Sequence, residues 1–359
     1  MLWNRPLGFG HSSILVDGDR LYTMYRRGGE EVVIALQAKT GKTLWEFAYD
    51  APFLEGMNMD VGPGPHATPL LSGGRLYTIG VTGKLHCLNR AGKLIWKRNL
   101  IKEFGGTVMA RGYSSSPIAY RDSVIVTVGG PGHAVVALAQ RDGKVRWKRQ
   151  DYSNSHAAPI LIPVDGQTHL VCLMNKVVAG LNPGNGDLLW SHPHDTIGDH
   201  TAVTPVWGEG NLLFVSSAYD GGSRVIRIRG SGDTFSAEEV WAHKRKRIHH
   251  SNVVRIGDYL YGSNGDFGPS FFACVNIHTG EFLWRERTFA RANSLHIGWD
   301  RVIVLDEDGV LALARVSPKG LEVISKAQVM ENKAWTPPTL AGTRLFLRDR
   351  KTIRALDLR

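Results

Sequence analysis

A tryptophan that closes a repeated unit every 43 to 51 residues constrains this chain more than any other feature. The clearest copies read Thr-Gly-Lys-Thr-Leu-Trp at 40–45, Ala-Gly-Lys-Leu-Ile-Trp at 91–96 and Asp-Gly-Lys-Val-Arg-Trp at 142–147. From Trp45 onward the tryptophans step by 51, 51, 43, 51 and 43 residues. A sustained period of this length is the signature of a repeat architecture, in which each repeat is one supersecondary unit.

The repeat that ends at Trp96 shows its strands most clearly. Four short runs at 67–71, 75–79, 84–88 and 94–97 are rich in leucine, β-branched and aromatic residues. Glycine and asparagine separate the runs, because these residues reach positive φ at little cost. No stretch carries a helical stripe, so the sequence predicts four antiparallel strands per unit, which is the blade of a β-propeller.

Eight such units account for the whole chain. The eighth has only three predicted strands before the chain stops, whereas residues 2–4 form an unassigned strand with its own tryptophan, Trp3. We therefore predict an all-β, eight-bladed propeller of four-stranded antiparallel blades in which the N-terminal strand completes the last blade. It forms a single domain over residues 1–359, and the seventh unit carries Lys326 where a tryptophan is expected. The predicted first strands begin near Ser12, Ala67, Ser115, Ala157, Thr201, Ser251, Ser294 and Thr336.

The repeated tryptophans are interpreted as packing residues and not as a stack for a cofactor. An indole at the end of each blade fills the wedge between neighbouring blades and buries roughly 150–250 Å². The turn glycine ahead of it supplies a tight backbone position. The predicted blade-docking residues are Trp3, Trp45, Trp96, Trp147, Trp190, Trp241 and Trp284.

Composition and charge narrow the classes of protein. No run approaches 18 apolar residues, so no membrane-spanning helix is predicted. The formal net charge of +10 favours anionic partners. The densest basic run covers residues 243–250. It either contacts phosphate or an acidic protein, or it is a solvated loop. Because no set of aromatic residues accompanies it, we expect no nucleic-acid function. Three cysteines far apart in apolar runs predict buried free thiols without a disulfide or a zinc site: Cys87, Cys172 and Cys274.

The repeated pattern Ser-x-Pro, Leu-Tyr and Ala-Leu-x-x-x-Thr-Gly-Lys-x-x-Trp resembles the repeat of the pyrroloquinoline quinone (PQQ) propellers. Segments 33–45, 136–147 and 179–190 carry the match, and the resemblance covers essentially the whole chain. One branch of this superfamily contains quinoprotein dehydrogenases, which oxidise alcohols or sugars with PQQ and calcium. Another contains non-catalytic propellers such as BamB, the lipoprotein of the outer-membrane β-barrel assembly machine.

The dehydrogenase branch implies features that this sequence lacks. Its members are usually much longer, and many carry a vicinal disulfide against the quinone. Here no two cysteines are adjacent, and no set of Glu, Asn and Asp aligns with the calcium ligands of that branch. The resemblance therefore favours a non-catalytic, monomeric binding or scaffold propeller with a protein partner and no cofactor. The alternative is a PQQ- and calcium-dependent oxidoreductase that acts on alcohols or sugars.

The resemblance also implies an exported bacterial protein of the periplasm or cell envelope. The first residues lack the apolar core and the cleavage site of a secretory signal. A cytoplasmic location therefore stays open as the alternative.

A ring of polar and aromatic residues is predicted around the propeller axis. The residue ahead of strand one lies near that axis, and five of the eight such positions are histidine. These groups either bind a polar or anionic ligand or a metal, or satisfy backbone groups beside a water-filled channel. With two residues of the neighbouring loops, the predicted ligand-binding set is His11, His66, Arg111, Tyr113, His156, His200, His250, Asp266 and Trp335.

The best local metal candidate is the segment 192–200, which packs three histidines and two aspartates into nine residues. Its spacing matches no established ligand motif. The candidate ligands are His192, His194, Asp199 and His200.

The longest connection, residues 48–65, is unusually apolar for a loop. Its exposed side chains would form a docking surface, whereas buried ones would pack onto the neighbouring blade. The sequence leaves both alternatives open for Phe53, Leu54, Met57 and Met59.

Overall fold

The computed structural model confirms the predicted architecture. It describes residues 1–197, 201–232, 234–266 and 270–359, which form eight antiparallel sheets of four strands each. The protein is an eight-bladed β-propeller with almost no helix. In seven sheets the four strands follow one another along the chain, and the eighth sheet contains the first strand of the chain.

The blades belong to two compact units, which are described separately below. The first unit comprises Met1–Asn154, Gly184–Gly186 and Thr339–Arg359, and the second comprises Ser155–Pro183 and Asp187–Pro338. The single domain inferred from the sequence stays a prediction.

The first unit contains the first three blades and the last one. Its strands are β1 (Trp3–Pro6), β2 (Leu15–Asp17), β3 (Arg20–Arg27), β4 (Glu30–Gln37), β5 (Thr43–Asp50), β6 (Leu70–Ser72), β7 (Arg75–Ile79), β8 (Lys84–Asn89), β9 (Leu94–Asn99), β10 (Ile118–Tyr120), β11 (Ser123–Thr127), β12 (Val135–Ala139) and β13 (Val145–Arg149), and, at the end of the chain, β30 (Thr339–Ala341), β31 (Arg344–Arg348) and β32 (Thr352–Asp357).

The second unit contains the fourth to the seventh blade. Its strands are β14 (Ile160–Val164), β15 (Gln167–Met174), β16 (Lys176–Leu181), β17 (Leu188–His194), β18 (Val206–Gly208), β19 (Leu212–Ser217), β20 (Gly222–Ser231), β21 (Thr234–His243), β22 (Val253–Ile256), β23 (Tyr259–Asn264), β24 (Phe271–Asn276), β25 (Phe282–Glu286), β26 (Ala292–His296), β27 (Arg301–Asp306), β28 (Val310–Ser317) and β29 (Gly320–Gln328).

The N-terminal strand completes the last blade, as predicted. β1 pairs antiparallel with β32, so that Trp3 lies opposite Ala355 and Pro6 lies opposite Thr352. The backbone N–H of Leu2 also donates to the carbonyl of Ala355 at 2.8 Å. The two ends of the chain are therefore hydrogen-bonded into one sheet.

Burial along the strands explains why these segments form blades. The central strands β3 and β4 are buried at almost every position, whereas the outer strand β5 alternates between exposed and half-buried residues. A continuous apolar run suits a strand covered on both faces, and alternation suits a strand with one face toward solvent. Side chains such as Leu36 and Phe346 belong to one apolar cluster that joins two blades.

The repeated tryptophans lie against the turn of the following blade. A Cβ on Gly92 would come within 2.6 Å of the Trp45 indole, and Gly92 has a φ of 81°, so both packing and backbone require glycine there. The Nε1 of Trp45 donates to the carbonyl of Arg90 at 3.0 Å. Whether these contacts hold the blades together stays a prediction. The indole also covers a turn glycine at Trp3, Trp96, Trp147 and Trp241, and Nε1 also donates to a backbone carbonyl at Trp3, Trp96, Trp241 and Trp284.

Trp190 differs from the other indoles. Its Nε1 donates to the Nδ1 of His169 at 3.0 Å, within its own blade. Trp190 is 4% exposed, so its indole is still buried.

Most of the first strands of the blades begin a few residues later than the sequence predicts. In the second blade the prediction starts at Ala67, whereas β6 begins at Leu70. The backbone N–H of Thr68 donates to the Oγ of Ser116 at 2.9 Å, in the connection to the third blade. The small polar residues ahead of strand one therefore bond to a neighbouring blade instead of the sheet ladder of their own blade.

One short helix interrupts the all-β pattern of the first unit. α1 (Leu100–Phe104) begins after Asn99, whose side chain accepts a hydrogen bond from the N–H of Lys102, and it ends at Gly105 with a φ of 74°. The cap and the left-handed glycine are the usual signals of a helix start and stop. A 3-10 turn, Glu209–Asn211, lies in the second unit.

Candidate functional site

The long connection between β5 and β6 is fixed near both ends by one buried arginine. Arg26, at the end of β3, is only 5% exposed. Its Nε donates to the carbonyl of Pro63 at 2.9 Å, and its Nη1 donates to the carbonyl of Ala51 at 3.0 Å. One side chain therefore fixes two points of the connection, Ala51 and Pro63.

A buried carboxylate accompanies this arginine. The Oε1 of Glu31 lies 3.6 Å from the Nη2 of Arg26, and Glu31 is fully buried. It accepts hydrogen bonds from the Tyr49 hydroxyl at 2.8 Å and from the backbone N–H of Val81 at 3.1 Å. Burial raises the pKa of Glu31, and these hydrogen bonds and the arginine charge oppose that shift. The four groups form a closed network that joins the first and second blades.

The apolar residues of this connection divide between the two alternatives left open by the sequence. Phe53 is 47% exposed, and its ring lies 4.3 Å from the Cζ of Arg26. Leu54, Met57 and Met59 are partly buried. The loop is therefore neither a fully exposed apolar surface nor fully packed onto the neighbouring blade.

Arg111, a predicted ligand-binding residue, contacts the same loop. Its Nη1 donates to the carbonyl of Asn58 at 2.8 Å and lies 3.5 Å from the Oδ2 of Asp60. In the structure this arginine therefore helps to hold residues 51–69 in place.

Two of the predicted axial histidines stack on each other in the first unit. The rings of His11 and His66 are 5.6 Å apart and nearly parallel, at 13°. The Nε2 of His11 lies 3.1 Å from the carbonyl oxygen of Val61, which can only accept, so Nε2 carries the proton. Burial lowers the pKa of His11 to about 3; the Val61 hydrogen bond opposes this shift, and the charges of Arg350 and Arg348 add to it. His11 is therefore neutral near pH 7.

Four aromatic rings form a continuous stack in the second unit. Tyr219 meets His249 edge-on with ring centroids 5.4 Å apart, His249 stacks on His250 at 3.6 Å, and His250 stacks on Trp335 at 4.6 Å. The Nε1 of Trp335 donates to the Oε2 of Glu307 at 2.8 Å. The sequence predicted both His250 and Trp335 for this region, and the structure brings them into contact.

Asp266 belongs to a hydrogen-bonded network in the same unit. Its Oδ2 accepts from the Nη1 of Arg247 at 2.8 Å and from the backbone N–H of Tyr219 at 2.9 Å, and its side chain is only 8% exposed. The carboxylate orders the two loops that carry Tyr219 and Arg247.

The basic run 243–250 departs from the solvated loop that the sequence offered as one alternative. Lys246 is 6% exposed, and its Nζ lies 4.3 Å from the centroid of the Phe282 ring. Ile248 is 7% exposed, and Arg247 pairs with Asp266. Within this run Lys246 is thus buried against Phe282 and Arg247 is partly buried beside Asp266, whereas Lys244 and Arg245 are exposed.

The structure places Tyr113 in a core position and not at a ligand surface. Its side chain is 1% exposed within an apolar cluster, and its hydroxyl donates to the carbonyl of Val128 at 3.0 Å. The position ahead of strand one is occupied here by an aromatic ring that is drawn into the interface of two blades. A role of Tyr113 in ligand binding stays a prediction.

The remaining axial positions are partly described. His156 is partly buried in the second unit, and its backbone N–H donates to the carbonyl of Thr201 at 2.9 Å. His200 lies outside the described residues, as does Asp199. Convergence of the axial histidines on one point stays a prediction.

The metal candidates His192 and His194 have other partners in the structure. The Nε2 of His194 lies 3.0 Å from the Oγ of Ser217, and burial lowers the pKa of this imidazole to about 3, with further lowering by the charges of Arg224 and His192. The Nε2 of His192 lies 3.8 Å from the Oε2 of Glu239. In the described part of the chain, no three His, Cys, Asp or Glu side chains are grouped so that they could hold a metal ion.

Sequence reasoning missed the paired charges that organise the first unit. Arg26 and Glu31 face each other across the β3–β4 hairpin, in the segment Arg-Arg-Gly-Gly-Glu-Glu at 26–31. Opposite charges on either side of a two-glycine turn predict a cross-strand pair. Arg348 and Arg350 were also missed, and their signal is a pair of arginines directly after the apolar run 345–347.

The dehydrogenase alternative requires PQQ with calcium, and calcium needs a set of oxygen ligands. Among the described residues no group of three or more His, Cys, Asp or Glu side chains could hold a metal ion. The absence of a cofactor stays a prediction. The cysteines Cys87, Cys172 and Cys274 are buried free thiols in three different blades, as predicted, and none faces another. We derive no reaction step through this cofactor.

Among the described residues, no helix has the length and apolarity needed to cross a bilayer.

Solved structures with the same fold come from both branches of the superfamily. BamB from Moraxella catarrhalis is 17% identical with a TM-score of 0.68, and the match covers 98% of this chain and 95% of that one. A quinohemoprotein alcohol dehydrogenase from Pseudomonas putida is 11% identical with a TM-score of 0.68, covering 99% and 76%. The computationally designed Ika8 protein is 11% identical with a TM-score of 0.62, covering 98% of each chain. At these identities the likeness establishes the fold alone.

Comparison of the sequence with family models gives a match to one of these two branches. No curated protein matches the chain at a significant level. The family model described as outer membrane protein assembly factor BamB matches residues 29–286, which is well over half of the chain. The repeat period, the eight four-stranded blades and this match agree. The chain belongs to the BamB family of PQQ-repeat β-propellers.

Proposed function

We propose that this protein is a non-catalytic binding propeller that docks a protein partner on the loop formed by residues 51–69. The observation that carries the proposal is the anchoring of this loop by Arg26 while Phe53 stays 47% exposed. A loop whose course is fixed before binding loses little conformational entropy on docking, and a large exposed aromatic ring is a typical anchor of an interface.

The name of the matched family indicates the class of partner. That family is described as an outer membrane protein assembly factor. We infer that the partner is another protein of the machinery that assembles outer membrane proteins, and that the chain works in the bacterial cell envelope. The net charge of +10 further favours a partner with an acidic surface.

Photo-crosslinking from the loop tests this proposal. A photoreactive phenylalanine analogue replaces Phe53 in one variant and Leu188 in another; both positions are 47% exposed, and Leu188 lies on the outer strand β17. Irradiation of intact cells should give one discrete adduct from position 53 and none from position 188. Mass spectrometry should identify the captured protein as a component of outer-membrane protein assembly.

Two results would contradict the proposed docking on residues 51–69. Equal crosslinking from both positions, or no adduct from position 53 in a correctly folded variant, would exclude this loop as the docking site. Dye-linked oxidation of alcohols or sugars by the purified protein with added PQQ and calcium would instead support the oxidoreductase alternative.

A further inference from the structure

Arg348 is a fully buried arginine at the end of β31, in the first unit. Its Nη1 donates to three oxygens: the carbonyl of Ser12 at 2.8 Å, the Oγ1 of Thr23 at 2.7 Å and the carbonyl of Met24 at 2.7 Å. These bonds fix the guanidinium against the first blade. The plane and the direction of its other edge are therefore set as well.

The opposite edge of the same guanidinium is unused. Neither Nε nor Nη2 of Arg348 has a hydrogen-bond partner among the described residues, and both atoms are buried. These two donors lie side by side on one edge, in the fork that receives a carboxylate or a phosphate through two parallel hydrogen bonds. A buried donor without an acceptor is costly, and a buried charge more so.

Asp349 is the acidic neighbour of Arg348 along the chain. Burial lowers the pKa of Arg348 to about 9, and the charge of Asp349 opposes this shift. The Oδ1 of Asp349 accepts the backbone N–H groups of Lys351 at 2.8 Å and Thr352 at 2.7 Å. Near pH 7 the guanidinium is still protonated, so that its open fork carries a positive charge.

A glycine keeps that fork free of side chains. A Cβ on Gly10 would lie 2.8 Å from the Nη2 of Arg348, and the φ of Gly10 is 148°. Any other residue here would cover the unused edge of the guanidinium. The segment 10–12 thus runs along Arg348, with Gly10 beside Nη2 and the Ser12 carbonyl on Nη1.

The segment itself carries the imidazole of His11, and a second guanidinium and a second imidazole lie beside that ring. The Nη2 of Arg350 donates to the carbonyl of Val61 at 3.0 Å, and the Nε2 of His11 donates to the same oxygen at 3.1 Å. Both guanidiniums lower the pKa of His11, so the positive fields of the two arginines overlap at this ring. His66 stacks on His11. His11, His66 and Arg350 are each partly exposed, which brings the cluster into contact with solvent.

We propose that Arg348 and Arg350, with His11 and His66 beside them, form a binding site for one small oxyanion, a carboxylate or a phosphate group. The fork of Arg348 supplies two directional hydrogen bonds, and Arg350 supplies a second positive charge. Burial of the Arg348 fork strengthens its hydrogen bonds to the oxyanion, because few waters compete there. His66 and the Val61 carbonyl lie within the docking loop, residues 51–69. Oxyanion binding nevertheless needs no protein partner, so it is tested separately from docking.

The experiment uses the full-length protein and two probes, inorganic phosphate and acetate, each titrated against sodium chloride at constant ionic strength. Both probes are followed by the thermal unfolding midpoint and by isothermal calorimetry, and phosphate also by the ³¹P linewidth. We expect a saturable rise in the midpoint with at least one probe, and the probe that saturates at lower concentration distinguishes phosphate from carboxylate. Equal midpoints in all three salts, with an unbroadened ³¹P line, would overturn the proposal.

Three variants separate a binding site from a purely structural arginine. Arg348→Lys keeps a charge but loses the fork and should weaken binding by about tenfold. Arg350→Gln removes the second charge at a partly exposed position, so that it should fold, and should weaken binding by about fivefold. Arg354→Gln, on β32 of the same blade, is the matched control and should bind as the wild type does. Wild-type affinity in the Arg350 and Arg348 variants would show that Arg348 only ties two blades together.

Discussion

Two loops that each join an outer strand to the next blade differ in which of their side chains are exposed. Residues 51–69, in the first unit, are rich in apolar side chains, yet Phe53 lies 47% exposed above a buried arginine. Residues 244–252, in the second unit, contain the most basic run of the chain, yet Lys246 and Ile248 are buried. The exposed Phe53 and the buried Lys246 show that the polarity of a loop residue did not alone decide its exposure, whereas Ile248 is buried as an apolar side chain is expected to be.

The difference lies in what the neighbouring blade offers to each loop. Arg26 donates hydrogen bonds to two backbone carbonyls of the first loop. The loop is therefore held in place although Phe53 is not buried. In the second loop the ring of Phe282 contacts buried Lys246, and the carboxylate of Asp266 pairs with partly exposed Arg247. Partner groups across the blade boundary determine which side chains remain available for binding.

The largest expected effect comes from removing the carboxylate beneath the first loop. Glu31→Gln leaves Arg26 buried without a counter-charge, and we expect the free energy of unfolding to fall by about 3 kcal/mol. Chemical denaturation at pH 7 measures this change. Proteolysis within residues 51–69 should become faster, because the anchor of the loop is weakened.

Glu30→Gln is the matched control for that substitution. Glu30 is its neighbour on the same strand, 43% exposed and 3.7 Å from Arg27. An exposed pair of this kind contributes little, so the change should stay below about 0.5 kcal/mol. Equal losses for both variants would mean that the buried pair does not set the stability of the loop.

The second prediction concerns how the stability of the same buried network beneath the first loop depends on pH. His86 is 3% exposed, and its ring lies 4.2 Å from that of Tyr49, which bonds to Glu31. Burial lowers the pKa of His86 to about 3, and the charges of Lys97 and Lys84 lower it further. An unfolded histidine binds a proton near pH 6.5. Between these values the unfolded state binds more protons, so stability falls as the pH falls below about 6.5.

His86→Leu should remove this contribution. Each pH unit below about 6.5 costs the wild type about 1.4 kcal/mol through this residue, which amounts to about 2 kcal/mol at pH 5. Unfolding titrations at pH 7, 6 and 5 compare the two slopes. His11 and His194 have similarly lowered pKa values, so the variant should retain a smaller slope. Identical slopes would show that His86 does not titrate with unfolding.

The fold could be read from the sequence because it rests on local patterns. Trp45 and its repeats, the turn glycines and the strand left over at Trp3 together predicted eight blades and the way the last blade is completed. The site could not be read as well, because it depends on contacts between blades. Tyr113 occupies an axial position by sequence, yet its ring is drawn into a core. Arg348 follows an apolar strand, and nothing local shows that its fork stays unused.

The third prediction concerns the buried cation of the second loop. Burial lowers the pKa of Lys246; the charge of Glu281 opposes this shift, and that of Arg285 adds to it. The surroundings therefore disfavour the ammonium on balance, despite the contact with Phe282. Lys246→Met keeps the length of the side chain and should raise the free energy of unfolding by about 1 kcal/mol at pH 7. Lys244→Met, at an exposed position, should change it little, and a loss of stability in the Lys246 variant would show that the cation–π contact dominates.

The smallest expected effect is at Phe53, and it decides whether the first loop is available for binding. Phe53→Ser loses an exposed contact with Arg26, which is worth about 0.5 kcal/mol. Leu188→Ser, at an equally exposed position, should cost a similar amount. If denaturation shows instead that Phe53→Ser destabilises the protein as strongly as Glu31→Gln does, then the ring is part of the anchor that holds the loop. In that case Phe53 would be a structural residue, and the partner would have to dock elsewhere.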